Sequence, residues 1–334
     1  MNLMVTEEPV WIGFDLGGTK MLAVVFDSEL RVLGKKRRKT RGNGTREVTP
    51  ERLAETIDLA LADAGVTANR VAGIGAGCPG PLDLQKGVIL EAPNLGWKNV
   101  ALKEFFSKRF HCPAEICNDV DGGVFGEYVS GVAKGQRSVL GVFPGTGIGG
   151  GFIYEGNIFR GTRSSCMEVG YLQLATEGGS AGAGPVGTLE GLASRLAISA
   201  EAAKAVYRGQ APKLRELAGT DISRIRSSVL AAAIEQGDSV IEAIVRRAAE
   251  QVGWGIGCLI NILAPDMVIL GGGLVEALPK LYLESVRDGI RRNVLPSLAD
   301  CHKLKIAELG DLATATGAAA LIRKQVMSTS SQKS

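Results

Sequence analysis

The stretch DLGGTK, Asp15 to Lys20, combines residue types that can hold a phosphate. Its two glycines follow an apolar strand, so backbone N–H groups can face an anion, and Thr19 and Lys20 can add a hydroxyl and a positive charge. Asp15 offers the hard oxygen that Mg²⁺ binds through its water shell. A Gly-Gly pair is equally typical of a hairpin turn, so this motif alone leaves both interpretations open.

The segment GTGIGGG, residues 145–151, has five glycines in seven positions. Each glycine in a strand is destabilising by roughly 0.5–1 kcal/mol. A backbone that must wrap phosphate oxygens would explain this excess. The spacing matches neither the Walker A nor the dinucleotide-binding glycine pattern. A third segment where the backbone could approach a ligand closely follows the strand MVIL and consists of Gly271, Gly272 and Gly273. A turn that packs a helix explains these glycines equally well.

The segment NDVDGG places Asn118 and Asp119 where a strand ends and a helix begins. A carboxylate at this position can act as a general base, and an alcohol that accepts a phosphoryl group needs one to take its proton. The alternative is a helix N-cap, which the spacing alone favours for Asp119.

The elements that must position these motifs repeat along the chain. Residues 11–27 and 139–155 each read as strand, turn and strand, and at an offset of 128 Gly13 meets Gly141 and Gly17 meets Gly145. The pattern predicts a duplicated hairpin that opens each half of the chain. Apolar periodicity then predicts alternating helices and strands, with helices at 49–65, 99–110, 227–237, 239–264 and 312–326 and strands at 71–81, 114–120 and 265–273. This alternation indicates an α/β protein.

Length and composition exclude several classes of protein. A chain of 334 residues can hold two domains, and a net charge of +3 gives no field that favours nucleic acid or a membrane. No apolar run approaches the ~18 residues of a membrane span, and the six scattered cysteines suit a reducing cytoplasm. The basic run at 34–46 reads more readily as a solvated edge strand than as a nucleic-acid patch or an attractor of a polyanionic donor.

Taken together and in order, these motifs resemble the ROK family of sugar kinases and regulators. The resemblance rests on DLGGTK, GAGCPGPLD with APNLGW, the Asn-Asp pair followed by GEY, GTGIGGGFIYEGNIFRG, EVG, TLEGLAS and NILAPDMVILGGG, and it extends from Val10 to about Gln325. It implies an α/β fold of duplicated ribonuclease-H-like lobes of the actin and hexokinase type, with a central cleft. We expect a small N-terminal lobe over 1–130 and a larger lobe over 131–334, with room for the last helix to pack back on the first.

The family resemblance also implies roles for individual residues. Asp119 falls on the catalytic base, and Asp15 on a position that holds Mg²⁺ through water. The sugar-binding positions are Asn94, Asn118, Asp119, Glu168, Tyr171 and Glu190. The positions that bind ATP and its phosphates are Asp15, Gly17, Gly18, Thr19, Lys20, Gly145, Thr146, Gly147, Gly271, Gly272 and Gly273.

One departure from the family pattern concerns zinc. Many members bind a structural zinc through one histidine and three cysteines, whereas here Tyr171, Ala181, Ala183 and Thr188 stand at those four positions. None of these side chains replaces a thiolate or an imidazole in such a site. We therefore expect no zinc, and we expect packing by Pro185 and the Tyr171 ring to hold the segment that carries Glu190.

The resemblance implies phosphorylation of a hexose by ATP and Mg²⁺, with glucose as the leading substrate. Fructose, mannose, an N-acetylhexosamine or a polyphosphate donor are the alternatives. A sugar-responsive regulator is a further alternative. The presence of Asp119 argues against it. The first phosphate motif, which starts near residue 10, also argues against it, since regulators carry an additional N-terminal DNA-binding domain. The resemblance also implies a homodimer, a cytoplasmic location and no nucleic-acid or membrane partner.

Overall fold

The computed structural model describes residues 8–41, 48–162, 167–176 and 186–331. Its strands are β1 (Val10–Leu16), β2 (Lys20–Phe26), β3 (Val32–Lys39), β4 (Val71–Cys78), β5 (Leu82–Asp83), β6 (Val88–Ala92), β7 (Trp97–Val100), β8 (Ala114–Asn118), β9 (Ser138–Pro144), β10 (Ile148–Tyr154), β11 (Asn157–Ile158), β12 (Met267–Leu270) and β13 (Lys303–Ile306). Its α-helices are α1 (Pro50–Asp63), α2 (Leu102–Phe110), α3 (Asp119–Ser130), α4 (Leu189–Ala193), α5 (Arg195–Tyr207), α6 (Pro212–Ala218), α7 (Ser227–Glu235), α8 (Ser239–Leu263), α9 (Gly273–Ala277), α10 (Pro279–Asn293) and α11 (Ala313–Ser331).

The chain divides into two compact units, each built on its own five-stranded sheet. The first unit takes in the chain up to Gly135, residues 160–162 and the segment from Asp311 onward, and the second takes in Gln136–Phe159 and Met167–Gly310. The strand orders are β3-β2-β1-β4-β8 and β11-β10-β9-β12-β13. In both sheets the first two pairings are antiparallel and the last two are parallel. The two units therefore share one topology.

The predicted duplication of the hairpin is confirmed by the strand boundaries. The strands β9 and β10 begin and end 128 residues after β1 and β2, respectively. The registers differ by one residue, since Leu16 lies opposite Met21 but Pro144 lies opposite Ile148. The second turn is therefore tighter than the first.

The basic run forms the edge strand β3, as the sequence indicated. Its charges are exposed or paired: Arg38 contacts Glu55 at 3.1 Å, and Arg37 contacts Asp311 at 2.5 Å. The following helix, α1, begins as predicted at the N-cap Thr49, whose hydroxyl accepts from the Arg52 N–H. A charged edge strand discourages pairing with another sheet.

The closing helix α11 lies on the first sheet and on α3 at unusually short range. A Cβ atom on Gly13 or Gly75 would overlap a backbone carbonyl of α11, and one on Gly317 would overlap the Gly122 carbonyl of α3. Buried alanines of α11 and Trp11 of the sheet fill the remaining space. These three glycines thus serve helix packing, and this packing fixes the first turn of α3.

The second unit buries its own apolar core between the second sheet and the helices α4 to α10. The predicted helices at 227–237 and 239–264 are α7 and α8, each ending within two residues of the predicted bound. None of the helices in the described part of the chain is long and apolar enough to cross a membrane.

We predict that Gly317→Ala destabilises the first unit more than Gly122→Ala does. A methyl group on Gly317 would overlap backbone, whereas one on Gly122 would meet its nearest atoms at 3.3 Å. Overpacking of this kind reduces the free energy of unfolding by about 1–3 kcal/mol, while alanine itself favours a helix by about 1 kcal/mol. Denaturant titration of both variants measures the difference, and equal stabilities would contradict this account of the packing.

Candidate active site

Asp15 and Asp119 lie at one edge of the first sheet, at the carboxyl ends of β1 and β8. The strand β4 runs parallel between them, with Gly77 opposite Asp15 in the register and Cys78 opposite Asn118. A Cβ atom on Gly77 would lie 3.5 Å from the Cα atom of Asp119. The same Cβ atom would overlap the Thr314 methyl group, so the missing side chain makes room for Thr314 beside the two carboxylates, at the strand ends where α/β proteins place their ligands.

Burial raises the pKa of both carboxyl groups, and neighbouring negative charges add to the shift of Asp15. Burial raises the pKa of Asp119 above its ordinary value. Burial, followed by the charges of Asp119 and Asp311, raises the pKa of Asp15 to about 7, against an opposing effect of Arg37. The first unit therefore holds an acidic group that is a stronger base than a surface carboxylate.

The N-cap of α3 is Asn118 and not Asp119. The Asn118 Oδ1 atom accepts from the N–H groups of Val120 and Asp121 at 2.9 and 3.1 Å. Asp119 is instead the first helical residue, hydrogen-bonded to the Val120 N–H at 3.0 Å and to the Asn118 amide. The Thr314 hydroxyl of α11 donates to the Asp119 carbonyl at 3.1 Å. The cap interpretation is therefore wrong for Asp119, whose carboxylate is held in place but is not needed to begin the helix.

The turn between β1 and β2 is held from behind by Thr40. Its N–H donates to the Thr19 carbonyl at 2.9 Å, and its hydroxyl donates to the Gly17 carbonyl at 2.7 Å. Lys20 follows the turn and is exposed. A Cβ atom on Gly18 would meet Asn94 at 3.4 Å, so the expected phosphate turn and Asn94 are neighbours.

Glu190 of α4 brings three expected motifs together in the second unit. Its Oε2 atom accepts from the Ile148 N–H at 2.8 Å. A Cβ atom on Gly147 would overlap that carboxylate, and one on Gly170 would meet the Glu190 side chain at 3.3 Å. Close packing against Glu190 thus explains Gly147 without a phosphate. A Cβ atom on Gly145, by contrast, would meet no atom nearer than 3.9 Å, although its N–H already donates to the Gly147 carbonyl at 2.8 Å.

Arg195 is a cation beside the expected second phosphate segment. Its N–H donates to the Gly145 carbonyl at 2.9 Å, and its Nη2 atom donates to the Thr146 hydroxyl at 2.9 Å. Burial and the neighbouring charge of Arg226 lower the pKa of Arg195. Two cations brought together at a glycine turn form a favourable place for an anion.

The third glycine segment runs alongside the end of β9. The Gly271 N–H donates to the Val142 carbonyl at 3.2 Å, and Gly272 has a φ of +87°, a region that glycine adopts readily. A Cβ atom on Gly273 would meet the Ser227 hydroxyl at 3.5 Å. Gly271–Gly273 and Gly145–Gly147 therefore follow neighbouring strands at the same end of the second sheet.

The segment that departs from the family's zinc pattern is held on its described side by hydrogen bonds. The N–H groups of Leu174 and Leu189 donate to the carbonyls of Gly187 and Leu172, respectively, at 3.0 and 2.8 Å. The Gln173 amide donates to the Val186 carbonyl at 2.8 Å. This pairing of residues 172–175 with 186–189 leads directly into α4 and orients Glu190.

The structure describes Tyr171, Thr188 and Glu168, to which the sequence analysis gave roles in this region. Tyr171 is 56% exposed, so the expectation that its ring packs to hold the segment is wrong. Thr188 is buried and caps α4 by accepting from the Gly191 N–H. Ala181, Ala183 and Pro185 lie outside the described residues. Glu168 is exposed, and its carbonyl accepts from the Tyr171 N–H at 3.0 Å. The absence of zinc stays a prediction.

Asp15 fits the role expected of a Mg²⁺ position. Burial and then the charge of Asp119 raise the pKa of the half-buried Asp15 carboxyl group, and a divalent cation would offset that charge. No group of three or more His, Cys, Asp or Glu side chains suited to a metal occurs within the described ranges. A cation here would thus take few protein ligands and keep water, as Mg²⁺ commonly does.

Sequence reasoning missed Thr40, Asp311 and Arg195. Thr40 carried no signal, because a threonine after a basic run is ordinary. Asp311 lies just before α11 and could have been noted as a carboxylate at a helix start. Arg195 is the first residue of α5, where a cation is unfavourable for the helix dipole, and that mismatch was available from the sequence.

Comparison with known proteins adds one family match and several relatives. The model of the ROK family matches residues 11–325. A glucokinase of Streptomyces coelicolor is 31% identical over 94% of this chain and 97% of its own length. A xylose repressor of Caldicellulosiruptor bescii is 29% identical over 83% of this chain and 68% of its own length. The curated relatives thus include both sugar kinases and regulators.

Two solved structures match nearly the whole fold. The ROK hexokinase of Thermus thermophilus superposes with a TM-score of 0.78 at 33% identity, over 95% of this chain and 99% of that one. The ROK family glucokinase of Streptomyces griseus, solved with glucose and AMPPNP, gives a TM-score of 0.77 at 30% identity, over 94% and 99%. The two units therefore have the duplicated fold of the actin and hexokinase type, as the sequence predicted.

We predict that Asp15→Asn changes how stability depends on pH. Because the pKa of Asp15 is raised from 3.8 to about 7, the folded chain holds a proton that the unfolded chain releases between these values. The free energy of unfolding therefore falls as pH rises through that window. In chelator-containing buffer the melting temperature of the variant should rise relative to that of the wild type as the pH increases from about 4 to about 7. The exposed control Asp288→Asn should follow the wild type, and an unchanged difference for Asp15→Asn would contradict the raised pKa.

Proposed function

Because the chain belongs to the ROK family, we propose that it transfers the γ-phosphoryl group of ATP to a hexose, most directly glucose, to give the 6-phosphate. The observation that carries this proposal is the Asp119 carboxylate. Its pKa is raised by burial, and it sits at a strand end beside Asp15 without being needed as a helix cap. A family regulator that binds sugar without chemistry would need no such base.

The proposed step is an in-line displacement at the γ-phosphorus. The bond from the hexose O6 to that phosphorus forms as the bond to the β,γ-bridging oxygen breaks, so ADP leaves with the electron pair. The proton of the O6 hydroxyl passes to Asp119, whose raised pKa makes it a better acceptor. The hydrogen bonds from Val120 and Asn118 orient that carboxylate during the transfer.

Residues of the first unit would stabilise the transferring phosphoryl group. The Gly18 N–H, the Thr19 hydroxyl and the Lys20 ammonium lie on one turn, which is closed by the Gly17 N–H donating to the Lys20 carbonyl at 3.0 Å and is held by Thr40. Asp15 would hold Mg²⁺, which when bound neutralises charge on the phosphate oxygens. Burial near a second carboxylate keeps Asp15 suited to that ion.

In the second unit we propose that the donor lies along the glycine segments. There is free space beside the Cα atom of Gly145, and Thr146 is held by Arg195, which places a positive charge beside the segment. Gly271, Gly272 and Gly273 would accommodate the adenosine, since they continue along the neighbouring strand end. The same segments would suit a polyphosphate donor, which remains the alternative.

For the sugar, we propose hydrogen bonds from the side chains at the family's sugar-binding positions, which are Asn94, Asn118, Asp119, Glu168, Tyr171 and Glu190. Glu190 has one oxygen committed to Ile148, so it would offer the other to the sugar. Rates with glucose, fructose, mannose and an N-acetylhexosamine, each with ATP or polyphosphate, distinguish the candidate substrates.

A second candidate function is a sugar-responsive regulator, because a xylose repressor is among the relatives. Sugar-dependent DNA binding together with no phosphoryl transfer would favour it. The homodimer and the cytoplasmic location that the resemblance implies likewise remain proposals, which sedimentation and cell fractionation would test.

We predict that Asp119→Asn lowers kcat for hexose phosphorylation by at least about 100-fold, since a general base commonly contributes 10²–10⁴. The KM for the hexose should change little, because the amide still bonds a hydroxyl. The control Asp58→Asn removes a surface carboxylate paired with Arg109 and should keep wild-type rates. A coupled assay of ADP release measures both variants. An unchanged kcat in Asp119→Asn would remove this residue from the role of base.

We predict that Arg195→Lys raises the KM for ATP by roughly tenfold while the KM for the hexose stays within twofold. Lysine keeps the charge but loses the geometry that binds the Thr146 hydroxyl. The control Arg215→Lys lies exposed on α6 and should have no effect. Equal KM values for ATP in all three proteins would mean that Arg195 supports only the fold.

A further inference from the structure

A large pocket lies in the first unit, away from the candidate active site. Its volume is about 670 Å³, within the range of small-molecule sites. Three pieces of chain form it: residues 29–31 of the β2–β3 turn, residues 125–134 at the end of α3, and residues 320–327 of α11. Nothing in the proposed phosphoryl transfer uses these residues.

The pocket lies at the opposite end of the first sheet from Asp15. The strand β2 is antiparallel to β1, so its last residue, Phe26, pairs with Trp11 near the start of β1. The turn that follows β2 is therefore remote from the edge where Asp15 lies. The helix α3 begins at Asp119 and runs about 18 Å to its end, at a rise of 1.5 Å per residue. A molecule bound here would not overlap one bound beside Asp119.

The charged residues of the pocket are mostly cations. Arg31, Lys134, Arg323 and Lys324 line it, against one carboxylate, Glu29. Arg31 is paired with Asp27 at 2.6 Å, and Lys324 also has an interaction partner; without these two, Lys134 and Arg323 still face the one carboxylate. The whole chain carries only +3, so this pocket concentrates positive charge locally. Such a wall attracts an anion.

Arg323 provides an independent sign of a missing ligand. Its Nε atom is buried and has no hydrogen-bond partner among the residues that the structure describes. Buried N–H donors are nearly always satisfied, because an unpaired one is destabilising. A phosphate oxygen in the pocket could accept from this group, and guanidinium groups bind phosphates in this way.

Apolar side chains form the rest of the wall. Phe125 and Ala320 are buried, and Leu30, Val129 and Met327 border the same space. An inorganic ion would leave these surfaces without contact, whereas an organic group would cover them. We propose that this pocket binds a small organic phosphate, a phosphate monoester whose sugar or nucleoside part contacts the apolar wall.

The helices that form the pocket also reach the candidate active site. Asp119 is the first residue of α3, and Thr314 near the start of α11 donates to its carbonyl. A phosphate held between Lys134 and Arg323 would tie the far ends of the same two helices together. A phosphorylated metabolite that binds in this pocket would thus contact the two helices that carry Asp119 and Thr314.

Calorimetric titration with glucose 6-phosphate and with AMP tests the proposal and separates the sugar ester from the nucleotide. At least one ester should bind the wild type, and the double variant Lys134→Gln/Lys324→Gln should bind it at least tenfold more weakly. Arg323→Lys keeps the charge, removes the buried Nε donor and should also weaken binding. Glucose and adenosine should bind all proteins equally.

The matched control is Lys36→Gln/Lys280→Gln, which makes the same change in net charge at exposed sites on β3 and α10. It should bind the ester as the wild type does. Equal affinities in the wild type and both double variants, or no binding of either ester, would overturn the proposal. An ester that binds instead at the candidate active site would bind the pocket variants as it binds the wild type, so only the affinity that these variants lose tests the pocket. The proposed kinase activity, measured separately, should be retained in the pocket variants.

Discussion

The partly buried setting of two neighbouring carboxylates, Asp15 and Asp119, is the constraint on which the first unit's chemistry depends. Parallel strands bring both to one sheet edge, and Gly77 between them makes room for the Thr314 side chain. Burial raises the pKa of each, so the pair is poised to take a proton and to attract a cation. The hydroxyl that accepts the phosphoryl group requires a group that takes its proton, and the charged phosphate donor requires a cation.

Short-range packing by glycine holds this arrangement in place. The helix α11 contacts the backbone of β1, β4 and α3 where Gly13, Gly75 and Gly317 lack side chains. Thr314 of that helix bonds the Asp119 carbonyl, so the last segment of the chain positions a residue almost 200 positions earlier. In the second unit, Glu190 plays a comparable part by packing on Gly147 and bonding Ile148.

Periodicity and local chemistry made much of the fold predictable. The repeat at an offset of 128, the Thr49 cap and the helix α8 follow from short-range rules that need no tertiary information. The role of Asn118 as cap was not separable from Asp119, because both residue types favour that position. The close packing of Gly147 on Glu190 and the clamp by Thr40 join residues more than 20 positions apart, which no spacing reveals.

Phosphorus-31 NMR of the wild-type protein with ATP, Mg²⁺ and glucose tests the central claim most directly. The account predicts that the γ-phosphate resonance of ATP is replaced by ADP and by one phosphate monoester at the sugar 6-position, in equal amounts. Formation of inorganic phosphate alone, or unchanged ATP in the presence of every hexose tried, would contradict it.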